Sequence, residues 1–472
     1  MHDLKGTDLV TADMTTTPIS RRGRVRSFLT AFWVPIVLVV AAFGVSGTVA
    51  VVHTEQMSPV DEWVYIDYLD KLPTQGIVHR GEDIGPSALE QMACSGIKVY
   101  GPMGPPCGSD YEAQIRDFPY DGQTSADLYT PIYFAITWIV GGAIHMATGT
   151  DLLTSWRLTG ALWQGLSMIL VFLLFRMWRV GPIATLALGF AFLASPFSWW
   201  TYSYVNTDAP SFALGVMLLL AATKFIRGEW SGWWIVALSA LAIAIKATNI
   251  LAICVVGLYL VFQWLHERKG VRWRGLKSTR PDHNDRHWFA LPGFALAAGA
   301  AGAGATGIWS VIRSSVALTD PPDQGTTVPF GLREFTEQMV NFLPNTIASN
   351  VNLSGTTMLA YPIPPIVYVP LTFITVAGVI GAFWTLKKGD RETPLVIAIA
   401  VAAVVAAPFL ALVIFVTQGA YFPIPPRYGA SLLGGMLLMA GMMMTYRPAA
   451  WATLACTATL MVFVVASAAH YG

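Results

Sequence analysis

Long apolar segments without charge recur along this chain, and they constrain its fold more than any other feature. Many of them run for about 20 residues, the length that an α-helix needs to cross the hydrocarbon core of a bilayer. Hydrophobic residues make up 54% of the 472 residues and charged residues only 12%, whereas a soluble domain carries about 25% charge. This pattern excludes an ordinary soluble enzyme and predicts an all-α polytopic membrane protein.

The apolar segments predict about eleven transmembrane helices. The run 131–147 is the ambiguous one, because counting it as a span would place the strongly basic segment 266–286 on the outer side of the membrane. Basic loops are kept on the cytoplasmic side, so we expect 131–147 to lie along the outer surface. The predicted spans fall near residues 28–52, 156–175, 182–200, 209–226, 231–245, 247–265, 288–312, 361–386, 393–416, 428–445 and 449–470.

The same charge rule divides the chain into regions on the two sides of the membrane. About 20 of the 29 basic residues then lie inside and about 19 of the 28 acidic residues outside, as the rule requires. The first span is too long for the apolar part of a cleavable signal peptide. The predicted regions are a disordered, basic, cytoplasmic N-terminus (1–27), a transmembrane module (28–265) whose outer loop (53–156) carries juxtamembrane helices, a basic cytoplasmic loop (266–287), and a C-terminal transmembrane module (288–472) with an outer loop (314–361).

Two of the four cysteines, Cys94 and Cys107, lie outside the predicted spans, in the first outer loop. An oxidising outer compartment allows them to form a disulfide, and two free thiols are the alternative. Cys254 and Cys456 lie in apolar spans, where cysteine packs as a small hydrophobic residue.

An acidic pair, Asp61-Glu62, stands where the chain leaves the first predicted span. Ser58 has the position of a helix N-cap and Pro59 that of the first helical residue, so Asp61 has the capping-box position and a purely structural interpretation. A catalytic carboxylate is the other interpretation. Successive helical residues point about 100° apart, so Asp61 and Glu62 are not expected to share one task.

A helix is predicted to follow this pair, with one apolar face buried in the membrane interface. Its apolar residues recur at helical spacing, and Asp67 and Asp70 are expected to stay in water on the other face. The apolar residues are Trp63, Ile66, Leu69 and Leu72.

Five further charged residues stand near the predicted outer ends of the spans: Asp208, Lys246, Arg313, Arg157 and Arg427. Asp208 either caps the fourth span or takes part in chemistry, since polar groups at this depth are costly and mark functional sites. Lys246 either extends to the surface or binds an anionic head group. Arg427 lies in a proline-rich loop and has the planar fork that binds two oxygens of a phosphate. One or two of the four bases are expected to bind an anionic lipid.

The order of these features resembles that of the GT-C glycosyltransferases, which include protein O-mannosyltransferases and aminoarabinose transferases. The resemblance covers about the first 265 residues and one late loop. Some members have a lysine where this chain has Tyr129-Thr130, so that phosphate contact must come from elsewhere or be absent. The similar segments are Asp61-Glu62, Leu128-Tyr-Thr-Pro-Ile-Tyr-Phe, Ser155-Trp-Arg-Leu-Thr-Gly-Ala-Leu, Ser195-Pro, Thr207-Asp208, Ala244-Ile-Lys246-Ala-Thr, Gln418-Gly-Ala-Tyr and Pro426-Arg427-Tyr428.

The resemblance implies a GT-C-type enzyme that transfers a sugar, with inversion, from a polyprenyl-phosphate-linked donor to an acceptor. Asp61 would deprotonate or position the attacking hydroxyl group, with Glu62 and Asp208 as further catalytic carboxylates. The implied ligands of the donor phosphate are Arg427, Lys246, Arg313 and Arg157.

The same resemblance implies the partners and the location. No cofactor is required and no metal site is expected, although a divalent cation held by Asp61 and Asp208 is an alternative. The expected partners are the lipid-linked donor, membrane lipids and a glycan, lipid or protein acceptor, with no nucleic acid. The expected location is the plasma membrane, crossed several times, with a cytoplasmic N-terminus and the active site on the outer face.

Two other functions stay open at this point: a transporter or lipid flippase, and a non-catalytic scaffold of the cell envelope. Transporters usually place ionisable groups near the midplane and often contain internal repeats, whereas the predicted span interiors hold almost no charge. A scaffold does not need outer acids and bases around one cavity. We expect an enzyme to bring Asp61, Asp208 and Arg427 together in a cavity that is open to lipid.

Overall fold

The computed structural model describes residues 21–52, 56–58, 61–97, 101–268, 289–320, 327, 329, 331–348, 352–353, 356–357, 365–386, 390–418 and 421–471. The predicted N-terminal region up to residue 20, Pro59 and most of the predicted loop 266–287 lie outside these residues. The described helices are α1 (Arg21–Val52), α2 (Glu62–Gln75), α3 (Pro86–Glu90), α4 (Pro131–Thr148), α5 (Leu152–Met177), α6 (Pro182–Leu193), α7 (Pro196–Tyr202), α8 (Ala209–Ile226), α9 (Trp233–Ile245), α10 (Ile250–Arg268), α11 (Ala290–Ser315), α12 (Leu332–Ala348), α13 (Pro365–Trp384), α14 (Thr393–Gln418), α15 (Ala430–Met443) and α16 (Arg447–Tyr471). Two short strands, β1 (Asn352–Leu353) and β2 (Thr356–Thr357), pair antiparallel.

The helices confirm an all-α polytopic membrane protein. Within the described ranges, eight helices are long and apolar enough to cross a membrane, or nine if α6 and α7 form one bent span. The eight are α1, α4, α5, α8, α10, α11, α14 and α16. Helices also form at the predicted spans 231–245 and 428–445, but α9 and α15 are short, with 13 and 14 residues.

The predicted span 182–200 is not one straight helix, because the chain bends by 63° between α6 and α7. Ser195 starts the second half: its hydroxyl accepts a hydrogen bond from the backbone N–H of Ser198 at 3.1 Å. Proline follows as the first residue of α7, where a missing N–H is tolerated. The side chain of Gln164, in the middle of α5, donates to Ser198 and accepts from Ser46 of α1. This buried polar link fixes α7 and the loop 203–208 that follows it.

Helix α4 is long enough for a span, and both of its ends make hydrogen bonds near the first or last residues of other helices. At its start, the Thr130 hydroxyl donates to the carbonyl of Ala244, at the end of α9. Just beyond its end, the hydroxyls of Thr150 and Ser155 are 2.7 Å apart in the first turn of α5. Near the first place, Lys246 pairs with Asp208. Near the second, Arg157 pairs with Glu62, which also accepts a hydrogen bond from the backbone N–H of Val205. Helix α4 has 18 residues and is among the helices long and apolar enough to cross a membrane, so its predicted place along the outer surface stays a prediction.

The expectation that Asp67 stays in water is wrong, because the first outer loop folds over this face of α2. Asp67 is fully buried and accepts hydrogen bonds from the ammonium of Lys71 and from the backbone N–H of Gly85, at 2.7 Å for the latter. Burial raises the pKa of the Asp67 carboxyl group. Asp70 is only partly buried. The outer loop therefore packs as a layer against α2.

A disulfide joins Cys94 and Cys107 in this outer loop, with a sequence separation of 13 residues. It closes the loop beside Tyr111, whose hydroxyl accepts from the backbone N–H of Gly108 at 2.6 Å. In the unfolded chain, a cross-link of this length removes about 3 kcal/mol of conformational freedom.

Close helix packing positions the segments at the end of α7 and the start of α15. Small residues let membrane helices approach closely. Gly160 of α5 lies against the carbonyl of Tyr202, and Gly215 of α8 lies against the carbonyl of Ser431 in α15. A side chain at Gly215 would bring its Cβ closer than 3.0 Å to that carbonyl. Helices α8 and α15 follow directly on Asp208 and Arg427, so their separation sets the distance between these two residues.

The Gly215→Ala substitution tests this packing. It should destabilise the protein by about 1–3 kcal/mol, since the added methyl group meets backbone that cannot move aside. Gly257→Ala is the matched control, because Gly257 lies within α10 with nothing within 4 Å of its built Cβ. Thermal unfolding in detergent should show a lower melting temperature for Gly215→Ala alone. Equal melting of both variants would contradict the close approach of α8 and α15.

Candidate active site

Asp61 stands at the N-terminus of α2 in a conformation that presents its side chain outward. Its backbone is left-handed, with φ 59° and ψ 17°, and its side chain makes no capping hydrogen bond. Aspartate is among the few residues that adopt this conformation without a large penalty. The side chain is 42% exposed. The capping-box interpretation is therefore wrong. Helix α2 begins at Glu62, one residue after Asp61, and the first hydrogen bonds of the helix are accepted by the backbone carbonyl of Asp61 and not by its side chain.

Arg427 reaches Asp61 from the other end of the chain. It lies in the 3₁₀ turn Pro426–Gly429, just before α15. One guanidinium nitrogen, Nη2, donates to Asp61 Oδ2 at 2.9 Å, and Nε lies 3.4 Å from Asp208 Oδ2. The planar guanidinium thus bridges two carboxylates, and its side chain is 8% exposed.

Asp208 is held between two cations. Its Oδ1 lies 2.6 Å from the ammonium of Lys246, and its other oxygen faces Arg427. Its backbone N–H donates to the side-chain oxygen of Asn206 at 2.8 Å, at the start of α8. The Asp208 side chain is only 1% exposed, so two positive partners offset the cost of burying this charge.

Lys246 is placed by the break between α9 and α10. Its backbone is extended, with φ −155°, and a 3₁₀ turn, Ala247–Asn249, follows before α10. Its ammonium donates to the hydroxyl of Thr207 at 3.1 Å and lies 5.4 Å from the ring centre of Tyr428. It does not extend to the surface, since its side chain is 5% exposed.

Two tyrosines continue this hydrogen-bond chain toward Asp61. The Thr207 hydroxyl donates to the hydroxyl oxygen of Tyr65 at 3.1 Å, and the hydroxyls of Tyr65 and Tyr129 are 3.3 Å apart. Burial, with the nearby Asp61 carboxylate, raises the pKa of Tyr129, and burial likewise raises that of Tyr65. Both phenols are therefore neutral hydrogen-bond donors at ordinary pH.

The structure therefore brings together Asp61, Asp208, Arg427 and Lys246, which lie at four separate helix ends. We call these four residues the charge cluster. Its formal charge is zero, since two carboxylates face two cations. The cations sit in a largely buried position where Coulomb interactions are strong, whereas Asp61 opens to the outside.

Glu62 and Arg157 form a second, fully buried ion pair beside the cluster. Arg157 Nε donates to Glu62 Oε1 at 2.8 Å, and Nη2 donates to Oε2 at 2.9 Å. Both side chains are 0% exposed. Glu62 also accepts from the backbone N–H groups of Ser58 and Val205, at 2.8 and 3.0 Å.

This second pair joins the chain segments that carry the two carboxylates of the cluster. Glu62 is the next residue after Asp61, and Val205 lies three residues before Asp208. A carboxylate has about four acceptor positions, and Glu62 uses them on Arg157 and two backbone N–H groups. The geometry supports a positioning role for Glu62 and Arg157; their predicted catalytic and phosphate-binding roles stay predictions.

Arg313, the remaining predicted phosphate ligand, pairs with a residue that the sequence did not single out. Its Nε donates to Asp127 Oδ2 at 2.5 Å. One turn earlier in α11, the indole N–H of Trp309 donates to the carbonyl of Leu128 at 3.2 Å. These bonds fasten the end of the first outer loop to α11, next to Tyr129.

Sequence reasoning missed the uncharged members of the site, namely Tyr65, Tyr129 and Thr207 as hydrogen-bond partners. A signal existed for two of them, because Thr207 precedes Asp208 and Tyr129 stands where a phosphate-binding lysine was sought. Tyr65 follows Asp61 by one helical turn, which places both at the same end of α2.

Among the comparisons with known proteins, only the one with solved structures finds similar proteins. No protein-family model and no curated protein sequence matches this chain. It is similar to the crystal structure of ArnT from Cupriavidus metallidurans in the apo state, with 14% sequence identity and a TM-score of 0.45 over 91% of this chain. It is also similar to the same protein bound to undecaprenyl phosphate, with 16% identity and a TM-score of 0.43 over 92% of this chain. The chain spans 62% of the length of either neighbour.

Loss of the Glu62 charge tests the positioning pair. Glu62→Gln should destabilise the protein by about 3–5 kcal/mol, because it leaves the buried Arg157 charge without its carboxylate. Glu337→Gln is the matched control, since it breaks an exposed arginine–glutamate pair with Arg333 and should leave the melting temperature unchanged. Thermal unfolding measures both. If the two variants melt alike, the buried pair does not hold these segments.

Proposed function

We propose that this chain is a membrane glycosyltransferase of the GT-C type, which moves a sugar from a polyprenyl-phosphate-linked donor to an acceptor at the outer face of the membrane. The observation that carries the proposal is the charge cluster. Two carboxylates and two cations from four helix ends meet at one point, and each is held by named partners. Burying charged side chains costs desolvation free energy, so an arrangement of this kind indicates a functional role.

The open carboxylate has the geometry of a general base. Asp61 is 42% exposed and only one of its oxygens, Oδ2, binds Arg427. Its other oxygen can accept the proton of an acceptor hydroxyl as that oxygen attacks the anomeric carbon of the donor sugar. The attack breaks the bond between the sugar and the phosphate oxygen, which leaves with its electron pair.

The two cations have the chemistry to stabilise the departing phosphate. Negative charge develops on the leaving oxygen, and fixed positive charges in a partly dry site stabilise it strongly. Arg427 presents a planar fork to phosphate oxygens, and Lys246 lies on the opposite side of Asp208. Asp208 positions both, and the neutral hydroxyls of Tyr65 and Tyr129 supply further donors.

The direction of the site follows from the distribution of charge. In the topology predicted from the sequence, most basic residues fall in loops on the side opposite the cluster, which by the positive-inside rule is the cytoplasm. The disulfide between Cys94 and Cys107 fits an oxidising outer compartment. We therefore place the cluster on the outer face of a plasma membrane, where lipid-linked sugars and envelope acceptors can meet.

The proposed reaction needs no metal, because cationic side chains meet the leaving group. A divalent ion held by Asp61 and Asp208 stays the alternative, and it would have to displace Arg427 from both. Transport or lipid flipping is less well supported, because the four charged residues of the cluster stand at helix ends and not at the centre of spans, where transporters place theirs.

Turnover by purified protein with a panel of polyprenyl-phosphate sugars tests the proposal. The wild type should release polyprenyl phosphate from one member of the panel. Asp61→Asn should lower this turnover by about 10²–10⁴-fold, the usual contribution of a general base.

Asp110→Asn is the matched control, because Asp110 is exposed in the same outer loop and accepts only from a backbone N–H. It should keep wild-type turnover. Full turnover by Asp61→Asn would remove Asp61 as the base, and no turnover by the wild type with any donor would contradict the proposed function.

A further inference from the structure

Three consecutive left-handed residues form the turn Pro119–Gly122 of the first outer loop. Tyr120 has φ 58° and Asp121 φ 55°, and Gly122 follows with φ 68°. Glycine adopts this conformation freely, but a bulky residue such as tyrosine is strained in it. In the described part of the chain, the other non-glycine residues with positive φ are Asp61 and Arg179. Strain of this kind persists where the surroundings impose it, and it concentrates at binding sites.

The strained turn places the Tyr120 ring on Trp63. The two ring centres are 6.1 Å apart and the planes are inclined by 22°. Trp63 is 7% exposed, whereas Tyr120 is 38% exposed. The indole is therefore the covered support of the pair, and the phenol presents its ring to the outside.

This aromatic pair lies next to the proposed base. Trp63 is the second residue after Asp61, in the first turn of α2. The ring of Tyr120 stacks on that of Trp63. A chain of sugar rings can place one hydroxyl at Asp61 while an earlier ring rests on Tyr120.

The chemistry of the surface favours an uncharged sugar. Aromatic rings offer an apolar face to the C–H groups of a pyranose or furanose ring, and binding sites combine such rings with a few polar groups. Four exposed carboxylates lie close to the turn in sequence and disfavour an anionic lipid or phosphate. They are Asp110, Glu112, Asp117 and Asp121. Arg116, a cation that contacts the turn, is paired with Asp83.

We infer that Tyr120, supported by Trp63, is an acceptor subsite that stacks on an uncharged sugar ring of a glycan acceptor. The inference rests on the proposed function for the use of this subsite in transfer, but the binding itself does not require turnover. The strained backbone is explained by this role, since it orients the ring over Trp63 and beside α2.

Binding of neutral oligosaccharides to the purified full chain tests the inference. The probes are maltotriose, cellotriose, mannotriose and arabinotriose, and saturation-transfer NMR measures their affinity. At least one should bind the wild type and Tyr120→Phe equally well. Tyr120→Ala and Tyr120→Gly should bind it about tenfold more weakly, the effect of losing one aromatic stack.

Tyr120→Gly separates binding from folding. Glycine fits φ 58° without strain, which offsets the lost stack on Trp63, so this variant should still unfold in one cooperative transition while it loses affinity. Asp121→Gly is the control, because it removes the strain at the neighbouring residue and keeps the ring; it should keep wild-type affinity.

The inference is overturned if no probe binds the wild type, or if Tyr120→Ala or Tyr120→Gly keeps wild-type affinity. Release of polyprenyl phosphate by the wild type is scored separately. Donor turnover with unchanged sugar affinity in the Tyr120 variants would leave the proposed function standing and remove the subsite. Tyr120-dependent sugar binding without any donor turnover would leave the subsite standing and contradict the proposed function.

Discussion

Buried charge has to be compensated, and this requirement ties together the most distant parts of the chain. Arg427 binds Asp61 across 366 residues of sequence, and Arg157 binds Glu62 across 95. Each arginine would be costly without its carboxylate. The end of α9 and the starts of α2, α5, α8 and α15 are consequently drawn to one point, while apolar packing fills the spans below it.

The two ion-pair systems at this point differ in their exposure to solvent. The pair of Glu62 and Arg157 is closed, with no exposure and with its carboxylate saturated by four hydrogen bonds. The charge cluster is open on one side, at Asp61. A rigid, closed pair beside an open one is the arrangement that holds reactive groups in place before a substrate arrives.

Much of this site could be predicted from the sequence. Charge is so unfavourable in an apolar chain that each isolated Asp, Lys or Arg near a span end marks a place of interest, and Asp61, Asp208, Lys246 and Arg427 were found in this way. The positive-inside rule also predicted that residues 131–147 lie along the surface, and this stays a prediction because α4 is long and apolar enough to cross a membrane.

The rest could not be predicted, because it depends on which residues meet in space. The sequence treats Asp61 and Glu62 as neighbours with similar chemistry, and only the fold shows that one is open and the other closed. Burial of Asp67 depends on the outer loop that covers α2. The bend at Ser195-Pro196 depends on a buried glutamine from another helix, and the left-handed turn at Tyr120 has no signal beyond Gly122.

Affinity for polyprenyl phosphate tests the central claim most directly, namely that the cations of the charge cluster bind the phosphate of a lipid carrier. Native mass spectrometry can compare undecaprenyl phosphate with uncharged undecaprenol on the wild type, Lys246→Gln and Arg427→Gln. The account predicts that the wild type prefers the phosphate and that each substitution weakens its binding by about tenfold or more, as expected for a lost charge-assisted contact. Equal affinity of the wild type for both lipids, or unchanged phosphate binding in both variants, would contradict it.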